Sequence, residues 1–239
     1  MADGSDVSIP RRDGTTMRGF LALPDGHGVT PGVVVIHEIF GVTDDMRRIV
    51  RRFADSGYAA LAPDLYDHPG ARALCIAKTM MSVGSGKGVA FDDIAAARDF
   101  LRARPEVDGD RLGITGFCMG GGFALLSALR APYRVVAPYY AEVPKEAAAL
   151  AGICPVVAGY GGRDVVFAPK GKRLQRHLET LGVAHDVKIY PDAGHSYMSH
   201  HEPTLMVRLG ARGPLKAGYA ESASEDSWTR MLAFFRLHL

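Results

Sequence analysis

The chain has 239 residues, within the range of one α/β domain and ample for a sizeable core. Hydrophobic residues make up 47% and charged residues 23%, an ordinary globular balance, and a formal net charge of +2 excludes the strong basic field expected of a nucleic-acid or acidic-membrane binder. Cys75, Cys118 and Cys154 fit neither a zinc ribbon nor a disulfide framework; residues 1–30 lack a signal-peptide core, and no apolar run is long enough to span a bilayer. A cytoplasmic protein is the expectation.

In chain order, 5–9 and 16–23 read as strands around the Arg12-Asp-Gly14 turn, since Asp-Gly is a strong hairpin signal. The short apolar run at 31–36 predicts a parallel strand covered on both faces. A helix is expected over 43–55, with Thr43 or Asp44 as its cap and Arg47, Arg48, Arg51 and Arg52 on a solvated face. A strand at 58–62 stops at Pro63-Asp64, a helix follows over 71–82, and 82–87 read as a mobile loop. A helix over 92–104 ends at Pro105. Strands at 111–115, 133–137, 155–160 and 185–190 alternate with helices at 121–130 and 169–181, the latter stopped by Gly182, and an amphipathic helix over 222–237 closes the chain. This alternation predicts a mostly parallel sheet with helices on both faces, behind an N-terminal antiparallel hairpin. Ligands in such folds collect at the carboxyl ends of the strands.

The most informative motif is Gly116-Phe-Cys-Met-Gly120, set between a predicted strand and a predicted helix. This is a nucleophile elbow with cysteine in the central position, where glycines on either side admit a strained, sharply turned backbone. A thiol nucleophile needs a base, and the base needs a partner to fix its tautomer. Downstream, Asp164 follows the strand at 155–160 and His195 follows the strand at 185–190, in the order nucleophile, acid, histidine. The expected triad is therefore Cys118, Asp164 and His195. The backbone N–H of Met119, at the start of a helix, is one expected oxyanion donor, and that of Ile39, in the loop after an early strand, is the other. Cys75 and Cys154 lack such context and read as core residues. His200, His201 and Glu202 lie near His195 but form no His-Glu-x-x-His pattern, so no metal and no cofactor are expected.

His37-Glu-Ile-Phe-Gly41, Pro63-Asp-Leu-Tyr66, Gly116-Phe-Cys-Met-Gly-Gly121, Gly161-Gly-Arg-Asp164 and Gly194-His-Ser-Tyr197 together resemble the dienelactone hydrolase family of α/β-hydrolases. The resemblance spans most of the chain in the family's order and implies one α/β-hydrolase domain over 1–239. It also implies that Glu38 contacts the nucleophilic thiol and helps control its ionisation. Family members acting on dienelactone hold the substrate carboxylate with arginines, one of them four residues past the catalytic histidine. Here that position is Ser199, and the second arginine's region offers Arg72, Lys78 and Lys87. Arg72, Lys78, Tyr197 and Ser199 are the candidate substrate contacts, and Arg208 and Arg212 are further sources of positive charge in a segment, 199–221, that departs from the family pattern and reads as a lid or partner surface.

The expected activity is hydrolysis of a small activated ester or lactone through a Cys118 thioester. Thiolate leaves a tetrahedral intermediate more readily than an ordinary alkoxide, so good leaving groups are favoured over alkyl esters and amides. Two alternatives keep the fold: a non-hydrolytic thiol sensor or ligand-binding protein, and a small peptidase. The expected partner is a small molecule, with no nucleic acid and no membrane; the residues do not determine an oligomeric state.

Overall fold

The Arg12-Asp-Gly14 turn joins two antiparallel strands, β1 (Gly4–Pro10) and β2 (Thr16–Ala22). Gly14 takes a positive φ of 85°, and the Asp13 carboxylate accepts the Thr15 N–H, which explains the Asp-Gly signal. The computed structural model of the chain describes residues 2–26, 28–202 and 204–239. The apolar runs form β3 (Thr30–Ile36), β4 (Ala59–Pro63), β5 (Val107–Phe117), β6 (Val135–Tyr139), β7 (Val156–Gly161) and β8 (His185–Tyr190). They join the hairpin in an eight-stranded sheet of order β1-β2-β4-β3-β5-β6-β7-β8. β2 pairs antiparallel with β4, and every pairing from β4 to β8 is parallel.

The helices are α1 (Asp44–Asp55), α2 (Arg72–Ser85), α3 (Val89–Arg102), α4 (Met119–Ser127), α5 (Ala168–Leu181), α6 (Leu205–Arg212) and α7 (Glu221–His238), with a 3-10 turn at Ala147–Leu150. Side chains on a strand alternate between faces, and β5 shows which helix covers which. Gly113 lies against Phe235 and Thr115 against Met231, both on α7, whereas Gly116 meets α4 at Gly120. α7 and α4 therefore cover opposite faces. α1 joins α7 through Phe53, whose ring lies 5.0 Å from Trp228, and α3 joins α4 through Phe91 and Phe123, also 5.0 Å apart. Among the described residues no helix is long and apolar enough to cross a membrane.

Several boundaries differ from expectation for local reasons. The stretch 82–87 is not a loop throughout: α2 runs on to Ser85 and stops at Gly86, in the left-handed conformation at φ 66°. β5 starts at Val107 because a register shift after Pro31 lets 107–108 pair with the start of β3. Segment 199–221 contains α6, none of whose residues is buried. The basic face of α1 is half-buried rather than merely solvated. Arg47 pairs with Asp6 at 2.7 Å, Arg52 with Glu225 at 2.5 Å, and Arg47 and Arg51 cover the Phe20 ring at 4.5 and 4.8 Å. These guanidinium groups seal the hairpin and α7 against α1.

The approach of α4 to β3 sets a strict steric limit. A Cβ on Gly120 would lie 2.3 Å from the Ile36 carbonyl oxygen and 2.6 Å from that of His37, and backbone cannot move aside as a side chain can. Gly120→Ala is expected to destabilise the fold by about 3 kcal/mol, lowering Tm by roughly 6–12 °C in calorimetry. An unchanged Tm would show that the two elements separate freely.

Candidate active site

β5 ends at Phe117 and α4 begins at Met119, so a single residue turns the chain. That residue is Cys118, at φ 55° and ψ −116°, a conformation L residues adopt only when their surroundings impose it. Here the surroundings do. The Cys118 N–H donates to the Tyr139 carbonyl at 3.0 Å, and its own carbonyl accepts from Gly121 and Gly122 at 3.1 and 3.3 Å. Gly116 permits the turn, because a Cβ there would sit 2.1 Å from the Gly120 oxygen. The Met119 N–H, first in α4, has no acceptor within the helix.

Asp164 follows β7 and is fully buried. Its Oδ1 accepts the N–H groups of Val166 and Phe167, both at 3.0 Å, which fixes the carboxylate plane. Its Oδ2 is then left to accept from His195 Nδ1 at 2.6 Å. His195 is held by its backbone to Leu215 and Gly218 and by its ring between Phe167 and Tyr140, at centroid distances of 4.7 and 5.0 Å. With Nδ1 committed to Asp164, Nε2 is the nitrogen available to the Cys118 thiol, with which the imidazole also interacts. Burial opposes the imidazolium, but the Asp164 carboxylate and the Cys118 sulphur outweigh it and push the His195 pKa up to about 10.

The loop that carries Ile39 is braced from below. His37 is buried; its Nε2 accepts the Leu65 N–H at 3.1 Å, so Nδ1 carries the proton and donates to the Glu38 carbonyl at 2.7 Å. Burial lowers its pKa, consistent with a neutral, structural imidazole. The Tyr66 hydroxyl donates to the Ile39 carbonyl at 3.0 Å and lies 3.6 Å from Met119 Sδ, tying the two oxyanion candidates together. Tyr66→Phe should free this loop and lower kcat about fivefold, the worth of one hydrogen bond, with KM nearly unchanged in steady-state kinetics. A rise in KM at constant kcat would instead place Tyr66 in substrate binding.

Glu38 faces the same cavity as Cys118, but both its oxygens are occupied. Oε1 accepts from the Ser196 hydroxyl at 2.9 Å, and Oε2 lies 3.0 Å from His201 Nε2. Burial works against the His201 cation, and the Glu38 carboxylate reverses this, raising the pKa. Ser196 itself sits at φ 54° and Tyr140 at φ 39°, so strained backbone gathers around the site. Cys118, His195, Met119, Ile39, Glu38 and His201 all open on one cavity of about 430 Å³.

The other candidate substrate residues are not brought to this cavity. Arg72 donates to the Phe40 carbonyl and covers Tyr66, outside the loop, and Lys78 is exposed on α2. The Tyr197 hydroxyl bonds Ser227 at 2.8 Å, and Ser199 bonds the Tyr140 hydroxyl at 3.2 Å, both in the buried interior. Arg208 and Arg212 point to solvent. Cys75 is buried, and burial pushes the Cys154 thiol up to about 12. Sequence reasoning missed Phe167 and Tyr140, which clamp the histidine and belong to no motif. His201 was visible only as a loop histidine, because its partner Glu38 lies far away in the chain.

The dienelactone hydrolase family model matches residues 17–239. A Rhodococcus opacus carboxymethylenebutenolidase is 28% identical, the alignment covering 96% of this chain and 90% of that protein. A Methylorubrum extorquens protein, provisionally given the same name, is 30% identical over 97% of this chain and 80% of its own length. Among solved structures, a dienelactone hydrolase-like promiscuous phosphotriesterase from metagenomic libraries superposes with a TM-score of 0.80 at 27% identity, covering 100% of this chain and 99% of that one. With the cysteine elbow, the aspartate and the histidine in order behind their strands, the chain belongs to the dienelactone hydrolase family.

Proposed function

We propose that the protein hydrolyses small activated esters or lactones through a covalent thioester on Cys118. The observation that supports this reading best is the line from buried Asp164 through His195 to Cys118, opening on an apolar-walled cavity. The Cys118 sulphur forms a bond to the substrate carbonyl carbon while the carbonyl π pair moves onto oxygen. The Met119 and Ile39 N–H groups receive that oxyanion. Collapse breaks the bond to the leaving oxygen, which takes a proton from His195 Nε2. Water then gives a proton to the neutral imidazole and adds to the thioester, and the second collapse releases the acid and the Cys118 thiolate beside the restored imidazolium.

The electrostatics suit both halves of this cycle. In the free enzyme the sulphur and Asp164 together hold the imidazolium up to about pH 10, so a proton is ready for the leaving group. Acylation cancels the charge on sulphur and removes one of the two supports of that high pKa. The imidazole then releases its proton more easily and becomes a base when water must be activated. An oriented base of this kind has no use in a passive thiol sensor or binding protein. The poor expulsion of amines relative to thiolate disfavours a peptidase.

Rapid quenching of a reaction with para-nitrophenyl acetate should trap an acetyl group on the Cys118 peptide by mass spectrometry, and hydroxylamine should release it. Turnover with an unmodified Cys118 at every time point would remove the thioester from the mechanism.

A further inference from the structure

The cavity beside Cys118 has apolar walls built by Ile39, Val83, Met119, Phe167, Met206 and Val207. Among the described residues no lysine or arginine lines it. Its charged groups besides the triad are the carboxylates of Glu38 and Glu142 and the imidazole of His201. Each cation that reaches these groups already lies beside an acidic partner. His201 pairs with Glu38 at 3.0 Å, Lys170 and Arg173 both pair with Glu142, and His195 is shared between Asp164 and Cys118. A substrate carboxylate entering here would lose part of its hydration, meet no free lysine or arginine and face two carboxylates and the nucleophile's sulphur. An uncharged apolar group would lose only unfavourable hydration.

We infer that this cavity selects neutral esters or lactones with an apolar acyl group and rejects those whose acyl portion carries a carboxylate. The inference rests on the hydrolase reading above and names its substrate class. α6 supplies the discriminating wall. Met206 and Val207 face the cavity from a helix with no buried residue, so this wall can be altered without touching the core.

The test compares para-nitrophenyl acetate, butyrate and hexanoate with the para-nitrophenyl monoester of adipate, which ends in a carboxylate. Through the neutral series kcat/KM should rise about fourfold per buried methylene. The adipate ester should be about 100-fold poorer than the hexanoate. Val207→Arg should narrow that gap by about tenfold or more by placing a cation in the wall. Adipate turned over as well as hexanoate, a series that does not rise, or a gap unmoved by Val207→Arg would each overturn the inference.

Occupancy can also be read without turnover, as protection of Cys118 from iodoacetamide by hexanoyl anilide and by its adipoyl counterpart. Selective protection by the neutral anilide, together with no hydrolysis of any ester, would sustain the cavity inference and defeat the hydrolase proposal. Equal protection by both would defeat the inference while leaving Cys118-dependent hydrolysis intact.

Discussion

Cys118→Ala should leave the protein folded and reduce turnover of para-nitrophenyl acetate by on the order of 10⁶-fold, the scale seen when a hydrolase loses its nucleophile. Alanine accepts the elbow backbone as readily as cysteine, since both carry a Cβ and the strain at φ 55° is already met by the Tyr139, Gly121 and Gly122 hydrogen bonds. On the proposed mechanism, what remains after the substitution is the Met119 and Ile39 N–H groups and an oriented imidazole acting on bound ester. Steady-state assays with circular dichroism as the folding control check this. Activity within about tenfold of the parent would mean that another group attacks the carbonyl. The same variant bears on the histidine. Removal of the sulphur withdraws one of two supports for the imidazolium, so the His195 pKa, measured by NMR of the imidazole, should fall from about 10.

Asp164→Asn should cost about 10⁴-fold in kcat while retaining the fold. The Asn oxygen can still accept the Val166 and Phe167 N–H groups, which leaves its amide nitrogen facing His195 Nδ1. Two donors cannot face each other, so the ring must place its proton on Nε2, where it can no longer take one from water. The loss should therefore appear in kcat, with KM little changed. A loss confined to KM would instead make Asp164 a scaffold for the loop. There is also a signature in stability. The folded pKa of His195 is raised, so its contribution is complete below the unfolded value of about 6.5 and is lost as pH rises through about 10. The stability advantage of the parent over Asp164→Asn, from urea unfolding, should accordingly shrink between these limits.

Much of this was legible in residue order. The Asp-Gly turn, the apolar runs of β3 and β6 and the glycines around Cys118 act over a few residues, where backbone sterics and hydrophobic period leave few choices. β8 falls at 185–190 as expected, because Gly182 ends one helix and Tyr190-Pro191 ends the strand. The end of α2 was less legible: 82–87 read as a loop with Gly84, Gly86 and Gly88 close together, but a helix tolerates one glycine, and Gly86 is the true stop. The basic residues of α1 carry no mark of the rings they cover, because Phe20 and Trp228 belong to distant segments.

The sequence by itself determined the sheet-and-helix alternation, the strained cysteine elbow and the order in which aspartate and histidine follow it, since each is a local pattern with a local physical cause. Only the tertiary structure decided what surrounds them. It engaged Glu38 with Ser196 and His201, committed Tyr197 and Ser199 to the interior, clamped His195 between Phe167 and Tyr140, and walled the cavity with α6. These contacts join residues far apart in the chain, and packing, not periodicity, chooses their partners.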